Sequence, residues 1–329
     1  MMVLISFITI AVFFLIAYAS ASMGLQSLFG VVVPYIAVAI FFAGLIYKVM
    51  NWANSPVPFR ITTTCGQQKS LHWLKRERFD NPFTALEVIV RMLLEILLFR
   101  SLLRNTNTKI VERRKLIYST SLWLWLGAIA FHWSFLIVLI RHIRLFTEPT
   151  PFFVTVLQDV DGFMQVGVPV YYATSFILII ALAYLLIRRL VSPQLRYISL
   201  YNDYFPLFLL LGIAVSGFWL RYIGKTDLTA IKELTMGLVS FNPVVPAGIN
   251  PLFFGHLFLV SILLAYFPFS KLMHMAGVFL SPTRNLANNN RAKRHVNPWD
   301  YPVKVHTYEE YEDEFRDLMK EVEIPVDKD

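Results

Sequence analysis

Six apolar stretches, each close to twenty residues long and nearly free of charge, recur along the 329-residue chain: Val3–Ala21, Gly30–Met50, Tyr118–Arg141, Val166–Leu190, Tyr204–Ile223 and Pro251–Met273. A helix rises about 1.5 Å per residue, so about 20 apolar residues cross a hydrocarbon core of roughly 30 Å. Lipid offers no partner to a bare backbone N–H or C=O, so such stretches must close their hydrogen bonds internally, as helices. No alternating ten-residue pattern of the barrel kind competes with this reading. Composition agrees: 56% of the residues are hydrophobic and 16% charged, against about 25% charged in a soluble domain. The expected fold is an all-α integral membrane bundle of six transmembrane helices. The first stretch has no basic segment ahead of it and exceeds a signal peptide's apolar core, so it reads as a retained helix.

Lys and Arg near the helix ends set the expected orientation. The long segment 51–116 carries Arg60, Lys69, Lys75, Arg76, Arg78, Arg104, Lys109, Arg113, Arg114 and Lys115. Arg188, Arg189 and Arg196 follow the fourth stretch, and Arg284, Arg291, Lys293 and Arg294 open the tail. Six spans put these three regions on one side, the cytoplasm, together with both termini of a multi-pass protein of the cell membrane. The opposite side receives Ser22–Leu28, a mixed loop with Glu148, Asp159 and Asp161, and a last loop whose Arg221, Lys225 and Lys232 fit the rule poorly. Thr84–Leu103 is apolar but sets Glu87, Arg91 and Glu95 along one face at i, i+4 spacing. A charge at the bilayer centre costs about 2.5 kcal/mol or more, so this stretch reads as an interfacial helix, not a seventh span. In the tail, Thr307 and Glu310 have capping-box spacing, and Tyr308, Tyr311, Phe315 and Leu318 follow on one face. That helix either packs on its own protein or docks a cytoplasmic partner. Four regions result: two N-terminal membrane helices (1–50), a basic cytoplasmic loop with its interfacial helix (51–116), a four-helix core (117–274) and a cytoplasmic tail (275–329).

Cys65 is the one cysteine among seven histidines. A single thiol excludes an internal disulfide, a Cys-ligated iron–sulfur cluster and a Cys-x-x-Cys-His haem attachment. Four histidines, however, sit in or at the ends of two apolar stretches: His132 and His142 in the third, His256 and His274 in the sixth. Ionisable groups inside a membrane are expensive and mark function. The third and sixth spans run antiparallel, which sets His142 beside His256 at the outer level and His132 beside His274 at the inner one. Two imidazoles from facing helices make a six-coordinate iron with no open position, a site for carrying electrons. One mismatch stands out. Ten residues rise about 15 Å and eighteen about 27 Å, and ten residues turn a side chain about 80° off its starting face. Helix tilt, or a kink at Pro268, has to absorb it. His72, His295 and His306 lie in polar regions and are not expected to hold haem. A transporter with buried histidines on a proton path is the reading from a different class, and it predicts no haem.

The paired spacings, with Phe267-Pro268-Phe269-Ser270-Lys271-Leu272-Met273-His274 closing the last stretch, resemble the gamma subunit of respiratory nitrate reductase over roughly the last five spans. Residues Thr63-Thr64-Cys65-Gly66-Gln67-Gln68-Lys69-Ser70-Leu71, Asn81-Pro82-Phe83 and Leu97-Leu98-Phe99-Arg100-Ser101-Leu102 resemble the DsrM family over almost the whole chain. DsrM proteins are the cytochrome b subunits of a membrane complex associated with dissimilatory sulfite reduction. These resemblances imply two haem b groups, a menaquinone substrate and an electron-transfer role within a quinone-linked oxidoreductase complex of sulfur metabolism. They also imply a DsrK-like iron–sulfur subunit in the cytoplasm, a DsrP-like membrane subunit, a DsrJ-like c-type cytochrome and a DsrO-like iron–sulfur protein. A nitrate reductase gamma-type subunit oxidising quinol for a molybdenum enzyme is the alternative. A quinone pocket is expected beside the outer haem, bordered by His142, Arg141, Asp159 and Asp161, with Arg141 or Arg144 neutralising haem propionates. The lysine that the nitrate reductase subunit uses near its outer haem has no counterpart at the start of the fourth stretch, near Gln165. Cys65 and the basic loop are candidates for a partner interface.

Overall fold

The computed structural model describes residues 1–55, 66–111, 115–165, 169–281, 283–292 and 305–328. Of the residues singled out above, Arg60, Thr63 to Cys65, Arg113, Arg114, Val166 and Lys293 to His295 lie outside the described residues. The order is α1 (Met2–Ser22), a π-helical turn Leu28–Val32 running into α2 (Val33–Ala53), α3 (Ala85–Leu98), α4 (Arg100–Leu103), β1 (Thr106–Val111), β2 (Lys115–Thr120) and α5 (Leu122–His142). Then come α6 (Phe152–Asp161), β3 (Gly162–Met164), β4 (Tyr171–Tyr172), α7 (Ala173–Val191), α8 (Pro193–Ile198), α9 (Tyr201–Phe218), α10 (Leu228–Val239), α11 (Pro251–Tyr266), α12 (His274–Leu280) and α13 (Tyr308–Glu321). Among the described residues six spans are long and apolar enough to cross a membrane: Met2–Ser22, Leu28–Ala53, Leu122–Leu145, Ala173–Val191, Tyr201–Ile223 and Pro251–Phe269. The protein is an all-α multi-pass membrane bundle.

Helix α11 lies at the centre, against α1, α2 and α9, while α5 packs along α7 and α7 along α9. Buried side chains join these helices in patches. Ile10, Phe205, Leu209 and Leu259 bring α1, α9 and α11 together, and Leu178, Leu182 and Leu210 join α7 to α9. Gly127 lets α5 approach α7 closely, since a Cβ there would meet the Tyr184 ring at 2.6 Å. Small residues at such crossings are how membrane helices gain packing without a hydrophobic drive. Serines inside the spans return their hydroxyls to their own helix, as Ser134 to the Ala130 carbonyl (2.6 Å) and Ser261 to that of Leu257 (2.8 Å). No polar group is thereby offered to lipid.

Four expected boundaries change. The stretch counted from Tyr118 starts at Leu122, because Thr106–Val111 and Lys115–Thr120, rich in Thr, Ile, Val and Tyr, pair as antiparallel strands β1 and β2 with Thr106 opposite Thr120. The stretch counted from Val166 starts at Ala173, because Tyr171 and Tyr172 pair with Gly162–Met164. The loops on the far side of the bundle hold helices α6 and α10, the latter capped by Asp227, whose carboxylate accepts from the Thr229 N–H at 2.8 Å. Ile231 and Leu234 of α10 bury against Ala17, Ala21, Leu220 and Phe254, closing that end of the bundle. Finally, the sixth span is not one helix to Met273. It passes through two 3₁₀ turns, Phe267–Phe269 and Lys271–Met273, with Ser270 fully extended between them (φ −117°, ψ 174°). Proline removes a backbone donor and crowds the preceding turn, and Ser270 starts the next turn by accepting the Leu272 N–H at 3.1 Å. His274 opens α12 beyond this break.

The 14-residue α3 is too short to span. Its charged face is fully used. Glu87 pairs with Arg76 at 2.6 Å, Arg91 donates to the Thr283 carbonyl at 3.2 Å, and Glu95 pairs with Arg284 at 2.9 Å. The Asn81-Pro82-Phe83 motif lies under the same layer, with Asn288 donating from Nδ2 to Asn81 Oδ1 at 2.6 Å. Segments 66–98 and 283–290 thus form one polar layer at the tail end of the bundle.

Helix α13 starts at the expected capping box: Thr307 Oγ1 accepts from the Glu310 N–H (3.2 Å) and Glu310 from the Thr307 N–H (3.1 Å). Glu312, buried within this unit, accepts from the backbone of Asp327 and Lys328 and pairs with Arg316. Tyr308, Tyr311 and Leu318 are exposed. Burial raises the Glu312 pKa, but the Lys328 and Asp327 N–H groups and then Arg316 outweigh it, and the carboxyl sits below the ordinary glutamate range. A depressed carboxyl contributes stability above its unfolded pKa and loses it as pH falls through the folded value. Amide exchange over 308–328 should therefore stay slow at neutral pH and accelerate on acidification below the ordinary glutamate range. In Glu312→Gln that acid step should vanish.

Candidate functional site

The four membrane histidines fall at two opposite ends of the bundle, two at each. At the tail end the His132 and His274 rings stand with centroids 6.0 Å apart and planes at 84°. At the opposite end His142 closes α5 and His256 lies in the first turns of α11, where Leu145 packs against the cluster of Phe253 and Phe254.

Each ring is oriented through Nδ1. His132 Nδ1 is 2.8 Å from the Ala128 carbonyl, His142 Nδ1 is 2.7 Å from that of Val138, and His274 Nδ1 is 2.9 Å from that of Lys271. His256 Nδ1 is 2.9 Å from the Ser216 hydroxyl. That hydroxyl already donates to the Gly212 carbonyl at 2.7 Å, so it accepts from His256. A carbonyl or a committed hydroxyl fixes the proton on Nδ1 and turns Nε2 outward as the free ligand atom, the usual second partner of a metal-binding imidazole. Gly217 leaves space beside the His256 ring, where a Cβ would lie 3.1 Å from Cε1. On the tail side Lys271, whose carbonyl orients His274, is held by Asp203 at 2.6 Å.

The His132–His274 pair fits a haem. With metal–imidazole bonds of about 2 Å, two rings sharing one iron hold their centres about 6 Å apart, as His132 and His274 do. Among the described residues no group of three or more His, Cys, Asp or Glu could hold a bare metal ion. Ligands in twos suit a metal whose equatorial bonds a macrocycle supplies.

Phe99 is a feature that sequence reasoning missed. It ends α3 in the left-handed region (φ 49°, ψ 47°), which costs a bulky residue strain, and its ring stands edge-on to His132 at 4.9 Å. Five hydrogen bonds around it hold it there. Arg100 and Arg104 both donate to Asp80, Ser101 Oγ donates to Glu95 at 2.7 Å, and the Trp125 and Trp133 indoles donate to the Leu98 and Leu97 carbonyls at 2.7 and 3.1 Å.

At the opposite end Arg141 and Asp161 are buried together, Nε to Oδ2 at 3.3 Å, in poor alignment for a hydrogen bond. Asp161 also accepts from the Thr174 N–H at 2.9 Å and the Thr174 hydroxyl at 2.6 Å. Arg141 Nη2 donates to Thr174 and Ser175, and its guanidinium lies 3.9 Å from the centre of the Tyr172 ring. Arg141 and Asp161, two of the four residues expected to border a quinone pocket, therefore serve each other. Asp159, also expected there, is exposed on another face of α6. Arg221, an outlier in the orientation count, is carried by a π-helical turn, Trp219–Ile223, and sits 4.4 Å from the Tyr172 ring.

Six spans with two histidines towards each end define a class: a helical multi-pass membrane bundle with imidazoles inside it. The family model described as nitrate reductase gamma subunit matches residues 92–291, and the chain belongs to that family. Two relatives lie close. The "Hdr-like menaquinol oxidoreductase cytochrome b-like subunit" of Archaeoglobus fulgidus is 51% identical over 280 residues, covering 83% of each chain. The protein of the same description in Archaeoglobus profundus is 45% identical over 274 residues, covering 81% of each.

Proposed function

We propose that this chain is a dihaem cytochrome b subunit that exchanges electrons between menaquinol and an iron–sulfur partner. One haem b is held by His142 and His256, the other by His132 and His274. The observation that carries it is the shared use of Nδ1 by all four rings, which leaves each Nε2 as the ligand atom, together with the 6.0 Å separation of the His132 and His274 rings. Bound haem supplies one-electron chemistry with no open coordination position. The chain's own residues fix ring tautomer and angle, keep the two centres at opposite ends of the bundle and cover the tail-end pair with Phe99. With the basic segments in the cytoplasm, the His132–His274 end faces the iron–sulfur partner and the other end faces the quinone. Asp161 is fully engaged, so of the two aspartates expected at the quinone it is the exposed Asp159 that takes quinol protons there. The relatives' description supports both the menaquinol and a partner of the heterodisulfide-reductase type. The motif resemblance to the DsrM family carries the sulfur-metabolism setting and the DsrK-, DsrP-, DsrJ- and DsrO-like partners.

A haemochrome assay on the purified protein tests this directly: two haem b per chain are expected, with a reduced α-band. Protein from haem-replete cells that shows no visible absorbance returns the reading to a proton-coupled transporter. Co-purification of a molybdenum enzyme in place of an iron–sulfur protein favours the nitrate reductase alternative. Ser216→Ala removes the acceptor behind His256. A bonded Nδ1–H makes the imidazole a stronger donor and favours ferric iron, so its loss should raise the potential of that haem alone and weaken its binding about 10–100-fold. Ser216→Thr should restore both, as redox titration followed at the α-band would show.

A further inference from the structure

Phe99 is held in its place at a cost. A bulky residue avoids the left-handed region, where its Cβ crowds the following carbonyl, yet Phe99 joins α3 to α4 at φ 49° and ψ 47°. Strain of this kind persists only where the surroundings over-determine it, and it gathers at functional sites. Here the surroundings do so from two sides. In the polar layer, Asp80 takes Arg100 and Arg104, while Glu95 accepts the N–H and the hydroxyl of Ser101 and pairs with Arg284. In the bundle, Trp125 and Trp133 donate to the Leu98 and Leu97 carbonyls, which a helix end leaves without partners of its own. Both indoles ride on α5, the helix that carries His132. The clamp delivers the Phe99 ring to one spot, edge-on to His132 at 4.9 Å, where the Phe131 ring also lies 4.7 Å away.

We propose that Phe99 is a positioning residue for the His132–His274 centre: it closes the His132 side to water from the polar layer and so raises that centre's reduction potential. This rests on the dihaem reading above, and Phe99 acts through His132, the ring it touches. Ferric iron carries one more positive charge than ferrous iron. An apolar wall that excludes water penalises the more charged form, and the shell around a metal site sets its potential in this way. The two rings of the pair differ accordingly. His132 is half-buried behind two phenylalanines, while His274 is exposed at the start of α12. A ring serving only to fill space needs no left-handed backbone; one that has to reach a histidine on the neighbouring helix does.

Glycine and asparagine both accept the left-handed region, so Phe99→Gly and Phe99→Asn remove the ring and keep the corner. In both, the His132–His274 haem should titrate at lower potential. The His142–His256 haem in the same sample should not move, and it reports that the bundle has folded. Phe99→Tyr keeps the ring and should stay near the parent. A merely structural Phe99 does not touch the potential, so an unmoved potential in the folded Gly and Asn variants overturns the proposal. Should neither variant fold or keep that haem, the unaltered chain decides. After incubation in deuterated water, mass spectrometry should find the imidazole C2–H of His132 exchanging at least about ten-fold slower than that of His274. Comparable rates overturn the seal. A parent chain that carries no haem fails the dihaem reading itself, a distinct result, and the exchange ratio then still decides whether Phe99 closes the His132 side.

Discussion

His256→Ala is expected to lower the haem content from two per chain to one and to leave the surviving centre spectrally unchanged. The independence follows from how the rings are held. His256 is oriented by Ser216 of α9 and flanked by Gly217. His132 and His274 are oriented by the carbonyls of Ala128 and Lys271, at the other end of the bundle and beyond the break at Pro268. Neither set of contacts passes through the other. His142→Ala should give the same single-haem product as His256→Ala, and His132→Ala the same as His274→Ala, because a bis-imidazole iron loses half its axial ligation in either case. Haemochrome stoichiometry and redox titration of the four variants therefore sort them into two classes of two. A cross-over, such as His142 and His274 in one class, breaks the assignment. So does any single variant that loses both haems while its helicity is intact.

The proposed pairing needs only the order of the spans. An even number of crossings between the third and sixth helices fixes which histidines share a depth. The geometry that reconciles ten residues with eighteen was only half legible. Pro268 marked a disturbance, but a proline alone does not distinguish a kink from the observed break, where the extended Ser270 separates two 3₁₀ turns and His274 starts a new helix. Ser216 gave no signal. A serine in an apolar helix bonds its own backbone by default, and only coordinates reveal that its second lone pair faces a histidine. Phe99 was hidden for a similar reason, since nothing in Leu97-Leu98-Phe99-Arg100 asks for a left-handed residue. It is imposed by tertiary contacts from Asp80, Glu95, Trp125 and Trp133. The segments read as outer loops failed differently. Phe152–Asp161 and Leu228–Val239 are short amphipathic helices, and missing the first of them hid the meeting of Asp161 with Arg141.

That meeting carries the largest expected effect on stability. Asp161→Ala leaves the Arg141 guanidinium buried beside Tyr172 without its countercharge, and removing one partner of a buried pair costs about 3–5 kcal/mol. It also strips the start of α7 of a cap. Tyr172 stands at the N-cap position with no side-chain hydrogen bond, and Asp161 supplies the missing acceptor for the Thr174 N–H. Asp161→Asn keeps an acceptor for Thr174 and should lose less. Arg141→Ala leaves a carboxylate that Thr174 still satisfies twice, so it should be the milder single change of the two alanine variants. In Arg141→Ala/Asp161→Ala the stranded charge is gone, and the double variant should be more stable than Asp161→Ala alone, a sign that no sum of independent losses produces. Thermal unfolding of the detergent-solubilised protein, followed by helicity, orders the four variants. If Asp161→Ala unfolds with the parent, or the double variant falls below both singles, the ion pair is not what holds this end of the bundle.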